Sequence, residues 1–263
     1  MIIHTLGNPK NPVIVFFHAM GVDGDSSLDV AEQLKDDYFC IMPTSTIYCK
    51  DQEYISKEDE IRQVNDFLKK YHIQKITLIV ASSIGADLAM SFLTKTEYVV
   101  DHVFFDGGQF AQIPKLLRHI MTPFLYIVIK SLAWSKGKSL KYILWCHDER
   151  IKPYFIHAAT NLTYRNLHRF LMDSVVDEEF PFLEKNVQDK MIVEFGSIED
   201  HFKYRDAVMK AYPYAKYPIF NGCNHMQYQI KNPKGFANML KQIILINELS
   251  DEAKKLEQNS SAC

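Results

Sequence analysis

Along the first half of the chain, short unbroken apolar runs alternate with stretches whose apolar positions return every three or four residues. VIVFF (13–17), YFCIMP (38–43), ITLIVA (76–81) and VVDHVFFD (99–106) are rich in β-branched and aromatic residues. Runs of this kind suit strands covered on both faces. Between them, Leu28, Ala31 and Leu34 follow Ser26-Ser27 and predict a helix through Leu34. Ile61, Val64, Phe67 and Leu68 follow Ser56-Lys57-Glu58-Asp59, whose spacing is that of a capping box. A third helix is expected from about Ile84 to Leu93. Strands alternating with helices predict an α/β fold: a mostly parallel central sheet, flanked by helices and joined by right-handed crossovers.

The pattern changes after Gly107-Gly108. Residues 111–187 read as helix, with the aromatics Phe124, Tyr126, Trp134, Tyr142, Trp145, Tyr154, Phe155, Tyr164 and Phe170 and no buried strand. Alternation returns with KMIVEFG (190–196), a helix through Val208 and Met209, YPIF (217–220) and a last helix from Pro233. The layout predicted is a core of 1–110 and 188–250, a helical insert at 111–187, and a flexible polar tail at 251–263. MTPFLYIVI (121–129) is the most apolar run; broken by Pro123 and closed by Lys130, it reads as too short to span a membrane.

Composition adds little to the layout but limits the partners. Apolar residues make up 47% of 263, enough for a large core, and the formal net charge is −2. That balance argues against a nucleic-acid partner, which would need a basic face. No signal peptide is evident at MIIHTLGNPK, and five cysteines without a CxxC spacing fit reduced thiols, so a cytoplasmic location is expected. In that setting the sequon at Asn161 reads as chance. No metal-ligand spacing such as HExxH occurs, so neither metal nor cofactor is expected.

The candidate chemistry starts where ITLIVA meets SSIGADLAM. A nucleophile elbow has the form small-x-Ser-x-small between a strand and a helix. Centred on Ser82, the flanks are Val80 and Ile84, both too bulky; centred on Ser83, they are Ala81 and Gly85, and both fit. Sterics therefore select Ser83. The helix that follows would aim free N–H groups and its positive end at the serine.

A serine needs a base, and the base an orienting acid. His225, in NGCNHMQYQ just after YPIF, stands where α/β sheets keep their sites. The acid is expected after KMIVEFG, where Glu199 and Asp200 are neighbours; Asp106, at the end of VVDHVFFD, is a third candidate. The order Ser, acid, His is the one this arrangement requires. Two backbone donors would complete an oxyanion hole. One is the N–H of Ile84; the other comes from the loop His18-Ala19-Met20-Gly21, Met20 before Ala19, with His18 ordering the loop.

VIVFFHAMG, IVASSIGADLA, IVEFGSIED and NGCNHMQYQIKNPKGF together resemble the α/β-hydrolase superfamily, specifically bacterial serine hydrolases with a helical cap. The resemblance implies a triad of Ser83, Glu199 or Asp200, and His225, and a cap inserted between the sixth and seventh strands. Ala81 for glycine and His18-Ala19 for His-Gly are departures that keep small residues. A short N-terminus leaves at most one strand before VIVFF. Serine at the elbow sets the chain apart from relatives with an aspartate nucleophile.

The expected activity is hydrolysis of carboxylic esters with small to medium acyl chains through an acyl-enzyme. MTPFLYIVI and the insert's aromatics are candidates for an apolar roof, and most of those aromatics are expected to form the insert's own core. Two other readings share the scaffold: a non-catalytic ligand-binding protein, and an amide or peptide hydrolase. The latter needs an anionic pocket, for which Asp148, Glu149, Asp177 and Glu178 are the candidates.

Overall fold

The computed structural model describes residues 1–143, 148–174 and 179–260. Trp145, Cys146, Asp177, Glu178 and Cys263 lie outside the described residues. Seven strands form one sheet: β1 (Ile2–Leu6), β2 (Val13–Phe17), β3 (Phe39–Thr44), β4 (Lys75–Ser82), β5 (Val99–Asp106), β6 (Met191–Gly196) and β7 (Ile219–Phe220). Their order is β1-β3-β2-β4-β5-β6-β7, with β1 antiparallel to β3 and every other pairing parallel.

The central strands read as unbroken apolar runs because both faces are covered. Val13, Val15, Phe17, Ile79 and Ala81 pack on one side of the sheet, and Ile14, Phe16, Leu78 and Val80 on the other. The helices in chain order are α1 (Leu28–Ala31), α2 (Lys57–Lys70), α3 (Gly85–Lys95), α4 (Lys115–Trp134), α5 (Leu140–Ile143), α6 (Lys152–Asn161), α7 (Tyr164–Met172), α8 (Lys185–Gln188), α9 (Arg205–Ala211), α10 (Gln227–Lys231) and α11 (Pro233–Ser260). Ser56 caps α2 as expected, its Oγ accepting from the Asp59 N–H at 3.2 Å.

Four expectations change. The helix predicted from Ser26-Ser27 to Leu34 is a 3-10 turn, Gly24–Ser27, followed by the single turn α1; Ser26 Oγ bonds the Asp23 carbonyl instead of capping. The helical insert α4–α8 falls between β5 and β6, not between the sixth and seventh strands, because a single strand precedes β2. Pro123 does not break the apolar run: α4 passes through it for 20 residues and is, by length and composition, apolar enough to cross a membrane. Residues 251–260 continue α11, as helix formers such as Glu252, Ala253, Lys254, Lys255, Leu256 and Glu257 favour.

The insert shares one apolar cluster with the core's loops. Ile129, Leu132, Phe155, Leu167 and Phe170 pack with Ala19, Ile47, Tyr48 and Tyr54. Asn166 of α7 accepts from Tyr54 N–H at 3.1 Å and donates to Gln52 O at 2.9 Å. Asp173 accepts from Tyr54 OH and Lys57 N–H at 2.8 and 2.6 Å. These bonds fasten both ends of α7 to the segment that leads into α2.

Candidate active site

Ser83 sits on the bend between β4 and α3 with φ at +52°. Non-glycine residues rarely adopt this region, and when they do the surroundings hold them there. Here the Ser83 N–H donates to Asp106 O at 3.0 Å, and its carbonyl accepts from Ala86 and Gln109 N–H at 3.0 and 2.9 Å. Ala81 is fully buried. A Cβ on Gly85 would lie 2.3 Å from Phe17 O and 2.8 Å from His18 O. The small residue at 85 is thus required by the end of β2, which the sequence pattern did not reveal.

His225 reaches the same point from the loop after β7. Gly222 takes φ +72° and Met226 takes φ +55°, bracketing the turn that presents the imidazole. Ser83 Oγ lies 2.9 Å from His225 Nε2, and His225 Nδ1 lies 2.8 Å from Glu199 Oε2. A carboxylate only accepts, so Nδ1 carries the proton, and Nε2 is left to accept from the serine hydroxyl. Glu199 is fully buried at its side chain, and its Oε1 has no hydrogen-bond partner.

The other acid candidates stand elsewhere. Asp200 is exposed at the start of a 3-10 turn, Asp200–Tyr204. Asp106 is buried beside Glu194, its register partner across β5 and β6. Burial pushes both carboxyls up, and the neighbouring Asp106 charge pushes Glu194 further, so Glu194 is the member that favours its protonated form. Asp106 serves the site through its backbone carbonyl, which anchors Ser83.

Three residues near the triad escaped the sequence reading. Gly107, with φ +58°, passes so close to the triad that a Cβ would fall 2.6 Å from His225 Nδ1 and 3.2 Å from Glu199 Oε2. Glu194 had a signal, a carboxyl inside a fully buried strand. His201 had none: its ring stands edge-on to His225 at 4.6 Å, and burial lowers its pKa. Glu199, His201 and His225 each bring a ligand atom within 4.8 Å of the others, the spacing of a metal-ligand set. Any ion there would compete with the proton on His225 Nδ1.

His18 directs neither ring nitrogen at Ser83. Its Nδ1–H donates to Ala19 O at 2.8 Å and its Nε2 accepts from Ser45 N–H at 3.0 Å. Burial pushes its pKa down to about 4, so the ring is neutral and orders the loop. That loop carries Met20, which with Ile84 and Ser83 borders a cavity of about 280 Å³. Ile113, Met121, Leu125 and Leu171 make most of the remaining wall apolar, and the Arg118 guanidinium, bonded to Leu171 O at 2.6 Å, is its charged member. Of MTPFLYIVI, Met121 and Leu125 face this cavity; Phe155 and Phe170 are core, and Phe124, Trp134 and Tyr142 are exposed. Neither Asp148 nor Glu149 lines it; they pair with Arg150 and Lys152.

The whole chain is similar in fold to solved structures. MenH from S. aureus superposes with a TM-score of 0.69 over 94% of this chain and 98% of its own, at 13% identity. The chain has the α/β-hydrolase fold. An α/β-hydrolase family protein from Desulfitobacterium hafniense gives 0.68 over 92% and 100%, at 15% identity. The esterase EaEST from Exiguobacterium antarcticum gives 0.68 over 92% and 94%, at 12% identity. No protein-family model and no curated protein sequence matches the chain.

Proposed function

We propose that the chain is a serine hydrolase that cleaves carboxylic esters of small to medium acyl chains through an acyl-enzyme. The observation that carries this reading is the series Ser83 Oγ, His225 Nε2, His225 Nδ1 and Glu199 Oε2, joined at 2.9 and 2.8 Å. Ser83 attacks the acyl carbonyl and passes its proton to His225. The Glu199 carboxylate holds the ring and stabilises the imidazolium formed. The N–H groups of Ile84 and Met20 receive the oxyanion, Ile84 at the positive end of α3. His225 then returns the proton to the leaving alcohol, and water, activated by the same imidazole, releases the acid.

The apolar wall of the 280 Å³ cavity supports an acyl group as the bound portion. Esterases among the structural neighbours support the same class. Free thiols at Cys40, Cys49 and Cys223 fit a cytoplasmic setting.

Hydrolysis of p-nitrophenyl acetate and longer p-nitrophenyl esters tests the reading. Turnover by the wild-type chain and its loss by roughly 10³-fold or more in Ser83→Ala is the expected result. Undiminished turnover in that variant would rule the reading out, and a wild-type chain without turnover would favour a binding protein on this scaffold.

A further inference from the structure

The outer face of α4 is apolar and exposed from Leu116 to Val128, and Trp134 is exposed at its end. Arg118, Thr122, Ile129 and Leu132 are its buried residues and face the fold. Leu117, Ile120, Phe124 and Ile127 recur at three- and four-residue spacings on the opposite side, and Trp134 follows two turns later, past Ser131. Phe124 and Trp134 are 69% and 67% exposed. Contiguous apolar surface of this kind marks a contact site.

The helix is fastened lengthwise on the protein. Arg118 donates to Leu171 O at 2.6 Å. Lys130 Nζ donates to the carbonyls of Ala159, Thr160 and Leu162 at 2.8, 3.1 and 3.2 Å. Crossing a membrane would break these bonds and strip polar groups from the inner face; lying on one would keep them.

Charge identifies the occupant. Between Asp106 and Asp148 the sequence has no Asp or Glu, yet it carries Lys115, Arg118, Lys130, Lys136, Lys138 and Lys141, in a chain of net charge −2. Lys115 is exposed at one end of the helix, and Lys136, Lys138 and Lys141 are exposed beyond the other. An apolar stripe closed by lysines, with a tryptophan at one end, matches an anionic lipid surface. A second copy packed face to face would set the same lysines against each other.

We propose that the exposed face of α4 docks on an anionic bilayer, with Phe124, Ile127 and Trp134 entering the headgroup–acyl boundary and the flanking lysines meeting lipid phosphates. Met121 belongs to the edge of this face and to the wall of the Ser83 cavity, so docking brings the cavity's rim to the lipid. A membrane-resident acyl ester then becomes the substrate class. That last step rests on the serine-hydrolase reading; the docking does not.

Flotation of the full chain carrying Ser83→Ala tests the docking without vesicle hydrolysis. Vesicles of phosphatidylcholine alone are compared with vesicles that also contain phosphatidylglycerol. Binding to the anionic vesicles, its weakening by salt, and a blue shift of Trp134 emission in a Trp145→Phe background are expected. Phe124→Glu with Ile127→Glu should lower partitioning roughly tenfold or more. The same pair of substitutions, with Ser83 restored, should leave hydrolysis of soluble p-nitrophenyl acetate unchanged. No flotation at low salt, or flotation indifferent to the glutamates, would overturn the proposal. A dimer in light scattering that the glutamates dissolve would also overturn it, since a second copy would then be the occupant. Flotation intact in a wild-type chain without esterase turnover would uphold the docking and refute the hydrolase reading alone.

Discussion

At the scale of single residues, position 83 was readable because its constraints are local. Ala81 and Gly85 must be small, and only the frame centred on Ser83 allows both. Which carboxylate meets His225 was not readable to one residue: Glu199 and Asp200 are adjacent, and only the turn after β6 decides which enters the fold. It buries Glu199 against His225 and leaves Asp200 in solvent. Accordingly, Glu199→Gln should lower kcat by about 10⁴-fold, because the amide supports the wrong imidazole tautomer. Asp200→Asn should stay within about twofold of wild type, since an exposed neighbour leaves transition-state stabilisation nearly untouched. Steady-state kinetics on one ester checks both, and equal losses would contradict the assignment.

His18 makes a residue-scale prediction about pH. Its folded pKa, about 4, lies below the ordinary 6.5. Between these values the unfolded chain binds a proton that the folded chain refuses, so stability falls as pH drops through that window. The contribution is complete above pH 6.5 and amounts to roughly 3 kcal/mol. Urea unfolding at pH 7 and pH 4.5 should show the wild type losing more stability than His18→Gln. Parallel losses would refute a buried neutral ring.

At the scale of elements, the legible pieces were those with a clear period or a continuous run. β2, β4 and β5 fall where the apolar runs do, and α2 starts at its cap. The pieces misread depend on tertiary partners. Pro123 is tolerated in α4 at an exposed position, and Ser26 bonds a carbonyl instead of a helix end. No pattern announced the ion pair between Lys57 and Asp87, which joins the first turns of α2 and α3 and is almost wholly buried. Removing one partner leaves a charge without compensation, so Asp87→Ala should cost about 3–5 kcal/mol. Lys57→Met combined with Asp87→Leu should recover much of that loss, whereas Ser56→Ala, which removes a half-buried cap, should cost only about 1 kcal/mol. Denaturant midpoints measure all three, and an additive double variant would contradict the pairing.

At the scale of the whole molecule, the sheet explains why so distant a set of residues was recoverable. Ser83, Glu199 and His225 follow β4, β6 and β7, three parallel strands whose C-terminal ends share one edge. Order along the chain therefore fixes proximity in space, and each strand was visible as an apolar run. The insert obeys no such rule. Its helices pack on the loops of the core, so which of its residues reach the cavity follows from tertiary contact: Met121 and Leu125 do, the exposed Phe124 does not. The apposition of Asp106 and Glu194 was equally hidden, since it arises from strand register.

The account as a whole turns on the Ser83 hydroxyl acting as nucleophile, and peptide-resolved mass spectrometry after treatment with a fluorophosphonate probe tests it most directly. One adduct per chain, on the peptide containing Ser83, is the predicted result, absent in Ser83→Ala and much slower to form in His225→Ala. A chain that hydrolyses esters yet carries no adduct, or carries it on another residue, would contradict the account.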